Sequence, residues 1–520
     1  MKRHPAIRAL KGIVPAAVFA AACISCAVPD FLLDAHGAGQ PEAGLQPGEN
    51  IVSKEDISAL VRDSFSLMNS TPGAEKQQPF EYLFLPRHLP SRFSLIEEGK
   101  KPQVRSQGSL ETCWAITACS AIESDLLPDE TLVFSPDHMS IRNGYSTSQE
   151  DGGDYHMIMS YLADWKGPVT EAEDPYGDGE SPEGLKAAVH VHDIRMLRGM
   201  SRDQIKEMML TYGAVQSSLC MDRARTDTDD YHYYQEKTCA YYDPMPEDLN
   251  HDVLVLGWDD AYSRENFRIR PRNDGAWICQ NTWGEDFGQD GIFYVSYEDR
   301  NLFRKGGLAY SGIVRAEPGA GVYGTDSLGW QGRQGYGREQ CWFAGVFTSD
   351  RTQRVTGIGF YTTGPYTAYR IYLIPGFESE ADLTDLPGSR SIADGAEAPE
   401  DQRSAAEAGA ARLLAAGQFA HPGFHTAEVT GSAGLTEGER YAVAVWVDTW
   451  RAEKPAAVEL QKDRYTQTVT LEGRQTFLSR DGAVWENTQE RYGTNVCLKV
   501  YTEQSGLFPA KMQALDAFGD

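Results

Sequence analysis

The sequence predicts an α+β domain followed by an all-β, sandwich-like domain. Three observations carry that expectation. Helix-type runs fall early, at residues 113–126 and 205–212, and short apolar or alternating runs bounded by Gly, Asp and Asn follow at 253–258, 277–281 and 292–297. Helices first and antiparallel strands later describe an α+β domain. After Pro318 only short strand-type runs separated by turn residues occur, at 341–348, 355–362, 368–374, 441–447, 466–471 and 495–502, which is the pattern of a β-sandwich.

Taken in order, residues 1–27 have the layout of an export signal: a basic start with Lys2, Arg3, Arg8 and Lys11, an apolar run over 13–24, and small residues at Ser25 and Ala27. The run is too short for a permanent membrane span. Cys26 follows an apolar and small-residue stretch and is a candidate for lipid attachment. Residues 28–83 are polar and rich in Gly, Pro and Glu, a linker or short pro-segment with one amphipathic helix candidate at 55–68. The α+β domain is expected over 84–316. Its run 113–126 is apolar on nearly every side, as a helix buried inside a domain is. The β domain is expected over 320–503, with an insertion rich in Ala, Asp and Glu near 376–417 whose second part, from 402, reads as helical. The tail, 504–520, carries no readable signal.

A chain of 520 residues exceeds what one core organises, and 41% apolar with 24% charged residues is an ordinary globular composition. A net charge of −27 is repelled by nucleic-acid phosphates and anionic membranes, which excludes nucleic acid as a partner and leaves membrane contact to a lipid on Cys26. Of nine cysteines, Cys23 and Cys26 lie in the leader. The odd remainder leaves at least one free thiol, and Cys220 with Cys239, flanking one irregular polar stretch, is the expected disulfide of an oxidising compartment. The sequence has no phosphate-cradling glycine loop, no paired histidines spaced for zinc and no calcium loop, and the acidic run at 226–230 reads as solvated. Neither a cofactor nor a metal is expected.

Three segments carry chemistry. In the first, Cys113 opens the buried helix six residues after Gln107 and directly before Trp114. A helix N-terminus favours the thiolate, and the Gln107 amide with the Cys113 N–H can converge on a developing oxyanion. In the second, His251 stands at the start of a buried strand, a rigid mounting for a general base. In the third, Asn281 can accept the second N–H of that histidine while the indole of Trp283 shields the bond.

Together these segments resemble the papain-like cysteine peptidases, whose motifs are a Gln six residues before Cys-Trp, a His leading a strand that ends Gly-Trp, and Asn-Ser-Trp-Gly. The Cys–His–Asn mechanism and the depressed thiol pKa of such sites belong to that family, so here they are implied by the resemblance. The resemblance extends to Gly152 and Gly153, the pair that would line the substrate cleft. Leu110-Glu111-Thr112 replaces the usual Cys-Gly-Ser, Asp252 stands where a small residue is common, and Thr282 replaces Ser. Residues 323–502 resemble a lectin-like β domain found on bacterial papain-like peptidases. Trp330, Trp342, Tyr361 and Trp485 could there stack on a sugar, although core packing is the better expectation.

The reading that results is an exported, extracellular or envelope-associated cysteine endopeptidase with Cys113, His251, Asn281 and Gln107 as catalytic residues. Gly152 and Gly153 would bind a protein or peptide substrate, with Trp114 and Trp283 orienting and shielding. The β domain could take a carbohydrate or cell-surface ligand. Two alternatives share the sequence: a surface binding protein or adhesin with an inactive peptidase domain, and a transpeptidase using the same acyl-enzyme.

Overall fold

A computed structural model describes residues 89–221, 232–384, 386, 411–429 and 433–504. The export signal with Cys26, the 28–83 segment with its helix candidate, the acidic run at 226–230, most of the insertion and the tail from 505 lie outside the described residues.

Among the described residues, four helices belong to the first domain: α1, Cys113–Leu126; α2, Pro136–Arg142; α3, Tyr155–Ala163; and α4, Arg202–Tyr212. Every residue of α1 from Cys113 to Ser124 is buried, as its all-round apolar sequence requires. Helices α2 and α3 escape a reading of the sequence because each is short and rests on a single cap: the Ser135 hydroxyl accepts from His138 N, and the Asp154 carboxylate accepts from His156 N and Met157 N. The strands β1, Val189–Met196; β2, Val215–Leu219; β3, His251–Asp259; β4, Ala276–Gln280; β5, Ile292–Ser296; and β6, Gly307–Arg315, form an antiparallel sheet in the order β1-β6-β2-β3-β4-β5.

The second domain is a sandwich. One sheet has the order β10-β9-β12-β7-β14-β15, with β7, Gln340–Thr348; β9, Thr367–Pro375; β10, Arg412–Phe419; β12, Arg440–Thr449; β14, Gln475–Ser479; and β15, Trp485–Asn487. The facing sheet contains β8, Gln353–Thr362; β11, Gly423–Glu428; β13, Ala456–Glu459; and β16, Leu498–Gln504. Phe343, Ile371 and Val445 meet Ile358, Phe360 and Val500 between them.

Three expectations are corrected. Residues 412–417 are strand, not helix: their Ala and Leu content suits a helix, but pairing of β10 along β9 overrides that propensity. Residues 466–471 are not a strand. The Asp463 side chain accepts from Tyr465 N and Thr466 N, folding Arg464–Thr466 into a single 3₁₀ turn. No disulfide joins Cys220 to Cys239, and none forms among the described cysteines. Cys239 sits in a left-handed conformation, φ +50°, with its Sγ turned to Glu236 O at 3.5 Å. The aromatic residues follow the core expectation, with Trp330, Trp342 and Tyr361 all buried. Trp485 is half-buried and donates to Leu383 O at 3.0 Å.

The two domains share a sheet and a core. Edge strand β1 pairs antiparallel with β11, matching Ile194 with Phe424 and Asp193 with His425. Gly423 permits this approach, since a Cβ there would lie 2.0 Å from Ile194 O. Trp330, Tyr361, Phe424 and Tyr501 of the second domain belong to one apolar cluster with Tyr155, Ile158 and Tyr161 of the first. The Trp165 ring stacks between His190 at 3.7 Å and Tyr501 at 4.3 Å. Phe424→Leu, which removes the ring that meets Tyr361 and leaves a void in this cluster, should cost about 1–3 kcal/mol and lower one shared unfolding transition in calorimetry. Two separate transitions, only one of them shifted, would mean that the domains are energetically independent. Among the described residues, no helix is long and apolar enough to cross a membrane.

Candidate active site

Cys113 is the first residue of α1 and is fully buried. The preceding Thr112 makes no side-chain cap bond to the helix. Its hydroxyl is hydrogen-bonded instead to the Tyr176 hydroxyl, which also donates to Gln107 O at 3.1 Å. Burial pushes the Tyr176 phenol up to about 12, so it remains a neutral donor at physiological pH. The loop before the helix is anchored from behind by the buried guanidinium of Arg105, whose Nη1 donates to Glu123 Oε2 at 3.2 Å on α1.

His251 occupies the first position of β3, opposite Leu219 of β2. Its Nε2 lies 2.6 Å from Asn281 Oδ1, and the same oxygen accepts Thr282 N at 2.7 Å. An amide oxygen only accepts, so Nε2 must carry the proton of this bond. In the neutral ring that leaves Nδ1 as the basic nitrogen. The Asn281 backbone is itself fixed by a 2.9 Å bond from its N–H to Gly291 O. The Trp283 ring lies over His251 with centroids 4.7 Å apart and planes at 41°.

Gln107 is tied to the same segment. Its N–H donates to Thr282 O at 2.7 Å, Thr282 Oγ1 donates to Gln107 Oε1 at 2.7 Å, and Gln107 Nε2 donates to Leu110 O at 2.6 Å. With the amide oxygen held by Thr282, the NH₂ end is turned toward the loop that precedes Cys113. Gly152, at φ +77°, and Gly153 precede α3. A Cβ on Gly153 would meet the Trp114 indole at 2.2 Å, so glycine here lets the chain lie flat on that ring. Glu111 is half-buried, and its N–H donates to Gln149 O at 2.9 Å.

Asp252 has a place that its position in the sequence did not suggest. Its buried carboxylate, raised by that burial, accepts from Gln216 Nε2 at 2.6 Å and from Ser218 Oγ. Gln216 Nε2 also donates to Trp114 O at 3.1 Å, and Thr117 Oγ1 to Asp252 O at 3.3 Å. This network fastens the helix carrying Cys113 to the strand carrying His251. The roles of Tyr176 and Thr282 were also not anticipated. Thr282 could have been noticed as the neighbour of Asn281, whereas nothing local distinguishes Tyr176. Among the described residues, no cluster of three His, Cys, Asp or Glu is arranged to hold a metal ion.

Comparison with known proteins agrees with this architecture. The profile of the papain family cysteine proteases matches residues 89–311, and that of a lectin-like domain matches 322–393 and 396–502. Procathepsin L of Felis catus is 28% identical over 225 residues, covering 41% of this chain and 62% of its own length. The viral cathepsin of Heliothis zea nuclear polyhedrosis virus is 28% identical over 211 residues, covering 40% and 52%. The chain thus spans 62% or less of the length of these relatives. The crystal structure of the cysteine protease and lectin-like domains of Cwp84, a surface layer associated protein of Clostridium difficile, superposes with a TM-score of 0.63. It is 21% identical and covers 80% of this chain and 89% of that one. A second structure, of the clostridial Cwp84 after propeptide cleavage, gives 0.64 at 21% identity, covering 80% and 100%. The chain therefore joins a papain-family cysteine protease domain to a lectin-like domain.

Proposed function

We propose that this chain is a cysteine endopeptidase that hydrolyses peptide bonds through a thioester acyl-enzyme. The observation that carries the reading is the 2.6 Å bond from His251 Nε2 to Asn281 Oδ1, which leaves Nδ1 as the proton acceptor. Cys113 loses its proton to His251 and attacks the peptide carbonyl, forming the S–C bond. The negative oxygen is held by the Cys113 N–H and the Gln107 amide. Protonated His251 then delivers its proton to the leaving amine as the C–N bond breaks, and water, deprotonated by His251, resolves the thioester. Trp283 covers the His251–Asn281 bond, Trp114 supports the cleft floor, and Gly152 with Gly153 aligns the substrate chain.

The reading includes export to the cell envelope. It is supported by the leader over 1–27 and by likeness to a protein described as surface-layer associated. Cys26 is the proposed lipid-attachment residue, and the lectin-like domain the proposed contact with a carbohydrate or cell-surface ligand.

Intact-mass measurement after treatment with an epoxide inhibitor of papain-like peptidases tests the site. One adduct is expected on the reduced, mature chain and none on Cys113→Ala. An unlabelled, folded wild-type chain would instead indicate a peptidase domain that only binds.

A further inference from the structure

A segment of the lectin-like domain reaches the loop in front of the nucleophile. Tyr465 O accepts Ser146 N at 2.9 Å, Thr468 Oγ1 donates to Gly144 O at 2.7 Å, and Arg464 Nη2 lies 3.4 Å from Asp151 Oδ1. Asp151 is pinned by Ser148, whose N–H and hydroxyl both reach Oδ2 at 2.8 Å. On its other side the same loop bonds to the nucleophile turn, through Glu111 N to Gln149 O. It then continues directly into Gly152 and Gly153, the latter lying on Trp114. The 144–153 loop is thus bonded both to the turn that precedes Cys113 and to the 464–468 segment of the lectin-like domain.

The orientation of a substrate along this loop follows from the chemistry proposed above, and the inference rests on that reading. His251 protonates the leaving amine, so the amine half of the substrate lies toward His251 and Trp283. The acyl half must leave in the opposite direction, past Gly152 and Gly153. An extended peptide advances about 3.3 Å per residue, so a side chain a few residues before the scissile bond arrives beside Asp151 and Arg464. The Arg464 side chain is 60% exposed and its guanidinium sits over its own Tyr465 ring at 4.5 Å, which presents the planar fork at the surface.

We propose that Arg464 and Tyr465 form an acyl-side specificity subsite, supplied by the lectin-like domain, that takes an acidic side chain about three residues before the scissile bond. The carboxylate enters by sharing the guanidinium with Asp151 while Tyr465 flanks its stem. Asp151 and Asp463 act electrostatically on Arg464, and Lys462 adjoins it in sequence. Reversing Arg464 to glutamate therefore leaves a predominantly acidic patch that favours a lysine at the same place.

The test uses two peptide aldehydes, acetyl-Asp-Leu-alaninal and acetyl-Lys-Leu-alaninal. Each is anchored by reversible addition of the Cys113 thiol to the aldehyde carbon, the carbonyl oxygen taking a proton, so the register is fixed. Inhibition constants come from competition with epoxide labelling of the full chain at low salt. The Asp inhibitor is expected to bind about threefold more tightly to the wild type and less tightly than the Lys inhibitor to Arg464→Glu, a swing of about tenfold in the ratio. Arg491→Glu, an equal charge change on an exposed helix of the same domain, should leave the ratio where it was. An unchanged ratio in Arg464→Glu, or an equal change in Arg491→Glu, overturns the subsite while the peptidase reading stands. Failure of both aldehydes and of the epoxide to engage Cys113 overturns both.

Discussion

Cys113→Ala is expected to lower kcat/KM for a cleaved peptide by roughly ten-thousand-fold or more, because the acyl-enzyme route disappears altogether. His251→Ala should approach the same loss. Without Nδ1 there is neither an acceptor for the thiol proton nor a donor to the leaving amine. The double variant should be hardly worse than either single one, since the two groups act as a unit. Both side chains are buried, so each variant is compared with wild type by thermal unfolding before kinetics are read. Cys113→Ala that is folded and retains activity within tenfold of wild type would remove the thiol from the mechanism.

The second large effect lies away from the cleft. Lys499 on β16 is buried, and its ammonium bonds to Asp164, just after α3 in the protease domain, and to Asp326 of the lectin-like domain, the latter at 2.9 Å. Burial pulls the Asp164 carboxyl upward, but the ammonium groups of Lys499 and Lys166 outweigh it and hold the group below the usual carboxylate range. Burial pushes Asp326 to about 6, only partly offset by Lys499. Lys499→Met leaves two carboxylates buried with Lys166 alone to compensate, and should cost about 3–5 kcal/mol in urea unfolding.

Asp326→Asn gives the opposite test. The folded chain binds the Asp326 proton more tightly than the unfolded chain, whose aspartate titrates near 3.9. The stability contributed by that protonation is complete below about pH 4 and lost as the pH climbs through 6. The wild type should therefore lose stability relative to Asp326→Asn between pH 4 and pH 6. A constant difference across that window would mean that the Asp326 carboxyl is not perturbed.

The centre of the site was legible because its signals are local. A run of mostly small and apolar residues marked α1 from Cys113 onward, and the start of an apolar strand marked His251. The partners that hold those groups were not legible. Tyr176 reaches Thr112 and Gln107 across the fold, and a lone tyrosine advertises nothing of that. Asp252 read only as a departure, since the hydrogen-bonding side chains it meets, Gln216 and Ser218, lie on a neighbouring strand whose register no short pattern reveals. In the second domain, alternating threonines imitated a strand at 466–471, whereas Asp463 turns the chain there toward Gly144. That two domains would share one sheet was equally hidden, because strand patterning identifies edges without naming their partners.

That shared sheet also imposes an order in time. Strand β1 emerges from synthesis long before β11, and until residues 423–428 follow, its backbone edge is open to wrong partners. The wait lasts longer still for Asp164 and Trp165, whose companions Lys499 and Tyr501 are on the last described strand. A chain that stops short of this strand lacks the Lys499 ammonium and the Tyr501 ring that meet Asp164 and Trp165. The last described strand thus supplies contacts that the protease domain cannot make until the second domain is complete.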